Sequence, residues 1–118
     1  MGVERIALKD KQMTFDQALE QLGNRNRRKV NNNTHLERTD NDTVGVVLHG
    51  TCVVKFNRNG SVILNAGGWQ TKTTMRRIND YSPMRVKQRD FAWYLTDGRE
   101  FENGIDVGTQ AASLFDAA

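Results

Sequence analysis

Cysteine is almost absent from this chain. Cys52 is the only one in 118 residues, which excludes an internal disulfide and a cysteine-based zinc site. At an apolar strand position it reads as a buried free thiol, in keeping with a reducing compartment. Only two histidines occur, His35 and His49, and the carboxylates are scattered. A metal centre needs three or more convergent ligands, so neither a metal nor another cofactor is expected. Gly67-Gly68 lacks the lysine and hydroxyl residue of a phosphate loop. No apolar run reaches the length of a membrane span, and the N-terminus carries no apolar signal core. The expectation is a soluble, cytoplasmic protein with no membrane partner.

What the chain does have is a stretch of short strands from Val44 to Trp69. Apolar side chains alternate as Val44, Val46, Leu48, then Cys52, Val54, Phe56, then Val62, Leu64. Alternation at period two marks strands with one buried face. A loop of His49-Gly50-Thr51 sets Leu48 opposite Cys52, Val46 opposite Val54 and Val44 opposite Phe56. A loop of Arg58-Asn59-Gly60 sets Phe56 opposite Val62 and Val54 opposite Leu64. A one-residue slip would break both matches. Upstream, a strand over Thr34–Thr39 and a turn of Asp40-Asn41-Asp42 place Leu36 opposite Val46 and Thr34 opposite Leu48. The second sheet face carries Val47, Val53 and Ile63 beside Lys55 and His49, and is half apolar.

A chain of this length with 37% hydrophobic residues supports one domain, 1–118. Its parts are an N-terminal helix and basic arm over 1–28, a sheet-rich core over 29–108 and an acidic tail over 109–118. A strand is expected at Glu4–Leu8. A helix follows from Thr14 to Leu22, with Thr14 and Gln17 at capping-box spacing, Phe15, Ala18, Leu19 and Leu22 on one face, and Gly23 as the stop. It is a candidate cover for the second sheet face. Residues 24–33 are polar, basic and rich in asparagine, and read as a loop or an arm ordered on binding. A second helix lies within Thr71–Tyr81, capped by Thr73 or Thr74, with Arg76 and Arg77 pointing away from its apolar stripe, and Pro83 blocks its continuation. Short strands follow at Val86–Gln88, Phe91–Thr96 and Glu100–Val107. The fold class is α+β, an antiparallel meander with one or two short helices; a small β-barrel with a peripheral helix is the alternative.

Net charge is +3, unevenly spread. Residues 24–38 carry a net +4, residues 70–89 a net +5 and residues 97–118 a net −4. Arg27, Arg28, Arg76 and Arg77 are the candidates for one positive surface that attracts nucleic acid or an acidic protein; a solvated face with no partner is the other reading. The strand register also gathers Asn33, His49, Thr51, Asn65 and Trp69 at one end of the sheet. An aromatic ring beside amides and hydroxyls suits a base or a peptide. The same residue types satisfy turns, in which case Trp69 is core. His49-Gly50-Thr51 fits half of the two-histidine phosphoesterase signature, but His35 is followed by Leu36-Glu37, and no second half exists. Catalysis is not expected.

Three runs carry a resemblance: Asn32-Asn33-Thr34-His35-Leu36-Glu37-Arg38; Leu48-His49-Gly50-Thr51; and Gly60-Ser61-Val62-Ile63-Leu64-Asn65-Ala66-Gly67-Gly68-Trp69-Gln70-Thr71. With Arg77-Ile78-Asn79, Trp93-Tyr94-Leu95 and Phe101 to Ile105, they resemble, in this order, a family of small proteins of tailed bacteriophages. The likeness spans about residues 29–108, and Cys52 stands where it implies an acidic residue. The resemblance implies a phage accessory protein acting in the cytoplasm of a bacterial host and supplies no catalytic residue. Three functions follow as expectations: a protein that binds a host factor and blocks or redirects it, a nucleic-acid-binding module, or a nucleotide-sequestering or phosphoesterase-like protein.

Overall fold

The computed structural model describes residues 14–108. The expected strand at Glu4–Leu8 and the tail over 109–118 lie outside them. Helix α1 spans Phe15–Leu22. Five strands follow: β1 Arg27–Asn31, β2 Thr34–Asp40, β3 Thr43–Leu48, β4 Thr51–Asn57 and β5 Val62–Leu64. Helix α2 covers Lys72–Tyr81. Then come β6 Val86–Arg89, β7 Ala92–Leu95 and β8 Ile105–Asp106. Six strands form one antiparallel sheet in the order β1-β2-β3-β4-β5-β8, while β6 and β7 make a separate hairpin. The sheet is an open meander, not a closed barrel.

The register follows from apolar pairing across the strands. Leu36 faces Val46, Thr34 faces Leu48, Val46 faces Val54, Val44 faces Phe56, and Phe56 and Val54 face Val62 and Leu64. All of these are buried, and the apolar ones join one core with Phe15, Ala18, Leu22, Ile78 and Tyr81 from the helices. Both helices therefore lie on this face. The capping box of Thr14 and Gln17 is formed at both ends, and Gly23 closes α1. Thr71, not Thr73 or Thr74, is the N-cap of α2, and its hydroxyl accepts from the Thr74 N–H.

Two expectations are corrected. The arm over 24–33 contains β1, an edge strand paired with β2. Its inward positions carry few apolar groups, so no alternation announced it. The loop between β3 and β4 has two residues, not three. His49 and Gly50 both have left-handed φ, 52° and 91°, as a type I′ hairpin turn requires. Leu48 then faces Thr51 and Val47 faces Cys52, and the register is restored by a bulge at Val53 before Val54. The bulge buries Val53 and moves Cys52 to the second face, where its thiol is only partly covered.

That second face carries Arg27, Lys29, His35, Glu37, Val47, Cys52, Lys55 and Ile63, none of them fully buried. Helix α1 does not cover it. There the Cys52 thiol lies over Gly45: a methyl group at Gly45 would meet Sγ at 2.6 Å. Gly45→Ala is expected to destabilise the fold by about 1–2 kcal/mol through overpacking. In a Cys52→Ala background the same change should be neutral or stabilising, as measured by chemical denaturation.

Candidate functional site

The polar end of the sheet is built by turns. Asn33 and His49 both hold left-handed φ, near 53° and 52°, and the His49 N–H donates to the Asn33 carbonyl at 3.0 Å. Thr51 opens β4 beside them. A side chain at Gly67 would strike the Thr51 methyl at 2.7 Å, so the glycine turn after β5 lies directly against Thr51. The Asn65 side-chain carbonyl accepts from the Gly67 N–H at 2.7 Å, and the Trp69 N–H closes onto the Ala66 carbonyl at 2.9 Å. The backbone thus brings Asn33, His49 and Thr51 to the end of the sheet where the Asn65–Trp69 turn also lies. Trp69 is 65% exposed and is not core. At the opposite end Arg58 joins the other two turns, donating to Asp42 at 2.8 Å and to the Asn41 carbonyl at 2.6 Å. A recess of about 400 Å³ lies there, between Asp42, Asn57, Arg58 and Ser61.

The four arginines expected to share a positive surface divide. Arg77 points inward, contrary to the reading that set it beside Arg76 on the solvent side. It is 9% exposed, its Nε donates to the Thr34 hydroxyl at 3.0 Å, and it pairs with Asp80 at 3.6 Å. The Thr34 hydroxyl in turn donates to the Asn32 carbonyl at 2.7 Å. Arg76 is exposed. Arg27 pairs with Glu37 at 3.0 Å. Arg28 donates to the Gln21 carbonyl at 2.7 Å, and Arg38 donates to the carbonyls of Gly23 and Arg25. Helix α1 has no basic residue in its last turn, so arginines from β1 and β2 serve the carbonyls at its C-terminal end. Much of the first basic segment is thereby committed to holding α1.

Basic groups that the candidate set omits are open: Arg85, Lys87 and Arg89, on and beside β6. Their spacing at every second residue of a strand was the available signal. Among the described residues no group of three or more His, Cys, Asp or Glu is placed to hold a metal, and no helix is long and apolar enough to cross a membrane. Burial pushes the Cys52 thiol up, against the pull of Lys55, and burial likewise raises the Tyr81 phenol against its hydrogen bond to Asn31.

The open meander, its single helix-covered face and its turn-built polar end define a small α+β protein. The chain belongs to the Kyanoviridae Gp96 protein family, a family of bacteriophage proteins, whose model matches residues 11–108. No curated protein and no solved structure matches the chain. The phage resemblance read from the motifs is thus established.

Arg77→Met leaves the Thr34 hydroxyl and Asp80 without their partner and is expected to cost about 3 kcal/mol. Arg76→Met should stay within about 0.5 kcal/mol of the parent protein, the range for exposed sites; urea denaturation of both checks this. For Cys52 and Tyr81 the folded state holds the proton more tightly than the unfolded chain. Their contribution is complete below the unfolded values and is lost as pH rises through the raised, folded ones. Stability should therefore fall above pH about 8.5, the ordinary thiol value, and Cys52→Ala should flatten the start of that fall in a series of melting curves.

Proposed function

We propose that this phage protein acts by binding rather than by catalysis, and that it engages a host protein through the polar end of its sheet. The observation that carries the reading is Trp69, 65% exposed on a turn whose glycines, Gly67 and Gly68, both hold left-handed φ. A tryptophan left in water on a turn is the residue type that anchors protein interfaces, where a few aromatic and arginine side chains supply most of the affinity. The surrounding Asn33, His49, Thr51 and Asn65 offer amide, imidazole and hydroxyl groups suited to a polar rim. The action proposed is to occupy or redirect that host factor in the bacterial cytoplasm.

Nuclease-treated host lysate passed over the immobilised protein tests this. A captured host protein should be lost with Trp69→Ala and reduced with Asn33→Ala or His49→Ala, while the Trp69→Ala melting curve stays within about 0.5 kcal/mol of the parent protein. Equal capture by Trp69→Ala would remove the reading. So would a loss of several kcal/mol in its folding stability, which would make Trp69 a packing residue.

A further inference from the structure

The second basic segment ends on the β6–β7 hairpin, and there the chemistry changes. Val86 pairs with Leu95 and Gln88 with Trp93 on the face where Val86, Trp93 and Leu95 are buried, so Lys87 and Tyr94, and Arg89 and Ala92, share the outer face. The Thr96 N–H donates to the Arg85 carbonyl at 3.1 Å, which extends this pairing by one step. Arg85, Lys87 and Arg89 therefore stand in one row, about 7 Å apart as alternate residues of a strand do. All three are exposed. None makes an ion pair among the described residues. The Arg89 guanidinium lies 5.3 Å from the centre of the Tyr94 ring. A cleft of about 260 Å³ runs between Lys87, Arg89, Tyr94, Thr96 and Gly98.

The hairpin tip adds a second, independent observation. Asp90 and Phe91 both hold left-handed φ, 54° and 67°. The sequence pattern placed Phe91 in a strand; it is in the turn and is 93% exposed. A bulky residue at such φ is a genuine outlier, and glycine or asparagine is the ordinary occupant of that position. Neither folding nor solubility gains from a phenylalanine fixed in water on a strained turn. Strain of this kind gathers at functional positions.

We propose that the outer face and tip of this hairpin bind single-stranded nucleic acid. The row of Arg85, Lys87 and Arg89 follows successive phosphates, the Arg89–Tyr94 pair offers a flat cationic surface to one base, and Phe91 stacks on another. Cationic tracking of the backbone joined to aromatic stacking is how proteins hold unpaired strands. Guanidinium planes and rings both receive splayed bases. Glu100 pairs with Tyr94 from the far side and puts one negative charge at that border, which keeps the phosphates on the β6 side.

The test is fluorescence anisotropy with a labelled twenty-nucleotide thymidine DNA, against a duplex of equal length, over a range of salt. Three phosphate contacts give a slope of log affinity on log salt of about −2. The paired substitution Lys87→Ala and Arg89→Ala should weaken binding at least tenfold and bring the slope to about −1. Phe91→Gly relieves the backbone, so its melting temperature should hold or rise while binding falls about tenfold. Glu100→Gln should bind more tightly than the parent, and Trp69→Ala should bind the oligonucleotide unchanged, which separates this site from the one at the sheet end. Absence of binding at low salt, full binding by Phe91→Gly or by the paired variant, or equal affinity for the duplex would each overturn the proposal.

Discussion

The buried guanidinium of Arg77 holds the two halves of the molecule in one arrangement. It reaches from α2 to the hydroxyl of Thr34, at the first residue of β2, and is neutralised within its own helix by Asp80. Two residues further, Asn79 both donates to the Val86 carbonyl at 3.0 Å and accepts from the Val86 N–H at 2.7 Å. A line of directional bonds thus runs from the meander through α2 to the hairpin. Apolar burial is non-directional and turns only the stripe of Ile78 and Tyr81 toward the sheet; these polar contacts fix the angle more closely. Their burial makes them costly to leave half-made, so the helix has one seat on the sheet.

Much of the main sheet was legible because its pairing is apolar on apolar. Leu36, Val46 and Val54 line up from alternation alone, and the capping residues of α1 mark its ends. The remainder was hidden for identifiable reasons. β1 is an edge strand whose sequence, Arg-Arg-Lys-Val-Asn, satisfies helix carbonyls and solvent instead of filling a core. The turn at His49-Gly50 and the bulge at Val53 cancel each other, so a shorter loop gives the same downstream pairing. No periodicity separates those two solutions, yet they exchange the places of Cys52 and Val53. Arg77 was read as a surface charge because the sequence shows Asp80 three residues on but not Thr34, the partner on the sheet that draws it inward. At the polar end, Asn33, His49 and Thr51 meet the turn that starts at Asn65, since turn positions follow once the strands are aligned.

Charge is divided by position within the fold. In the first basic segment Arg28 and Arg38 serve carbonyls at the end of α1 and Arg27 pairs with Glu37, though Arg27, Arg28 and Lys29 all remain exposed. The second holds one buried arginine, Arg77, after the exposed Lys72 and Arg76, and finishes with three open cations on a hairpin outside the main sheet. Net charge per segment treated the two as equal; the hydrogen bonds separate them. The exposed aromatics follow the same division, with Trp69 at the end of the meander and Phe91 at the hairpin tip.

Among the described residues β1 pairs on one side only, with β2, and that has a further consequence. An uncovered edge presents unpaired backbone groups that another strand can join, and sheets extended this way become aggregates. Here that edge bears three cations in a row, Arg27, Arg28 and Lys29, all exposed. A second copy approaching edge to edge would bring its own three against them, and the repulsion acts before any backbone bond forms. The guard weakens as ions shorten the reach of charge to about 3 Å at molar salt. Strand-to-strand pairing at this edge is therefore opposed most strongly at low salt.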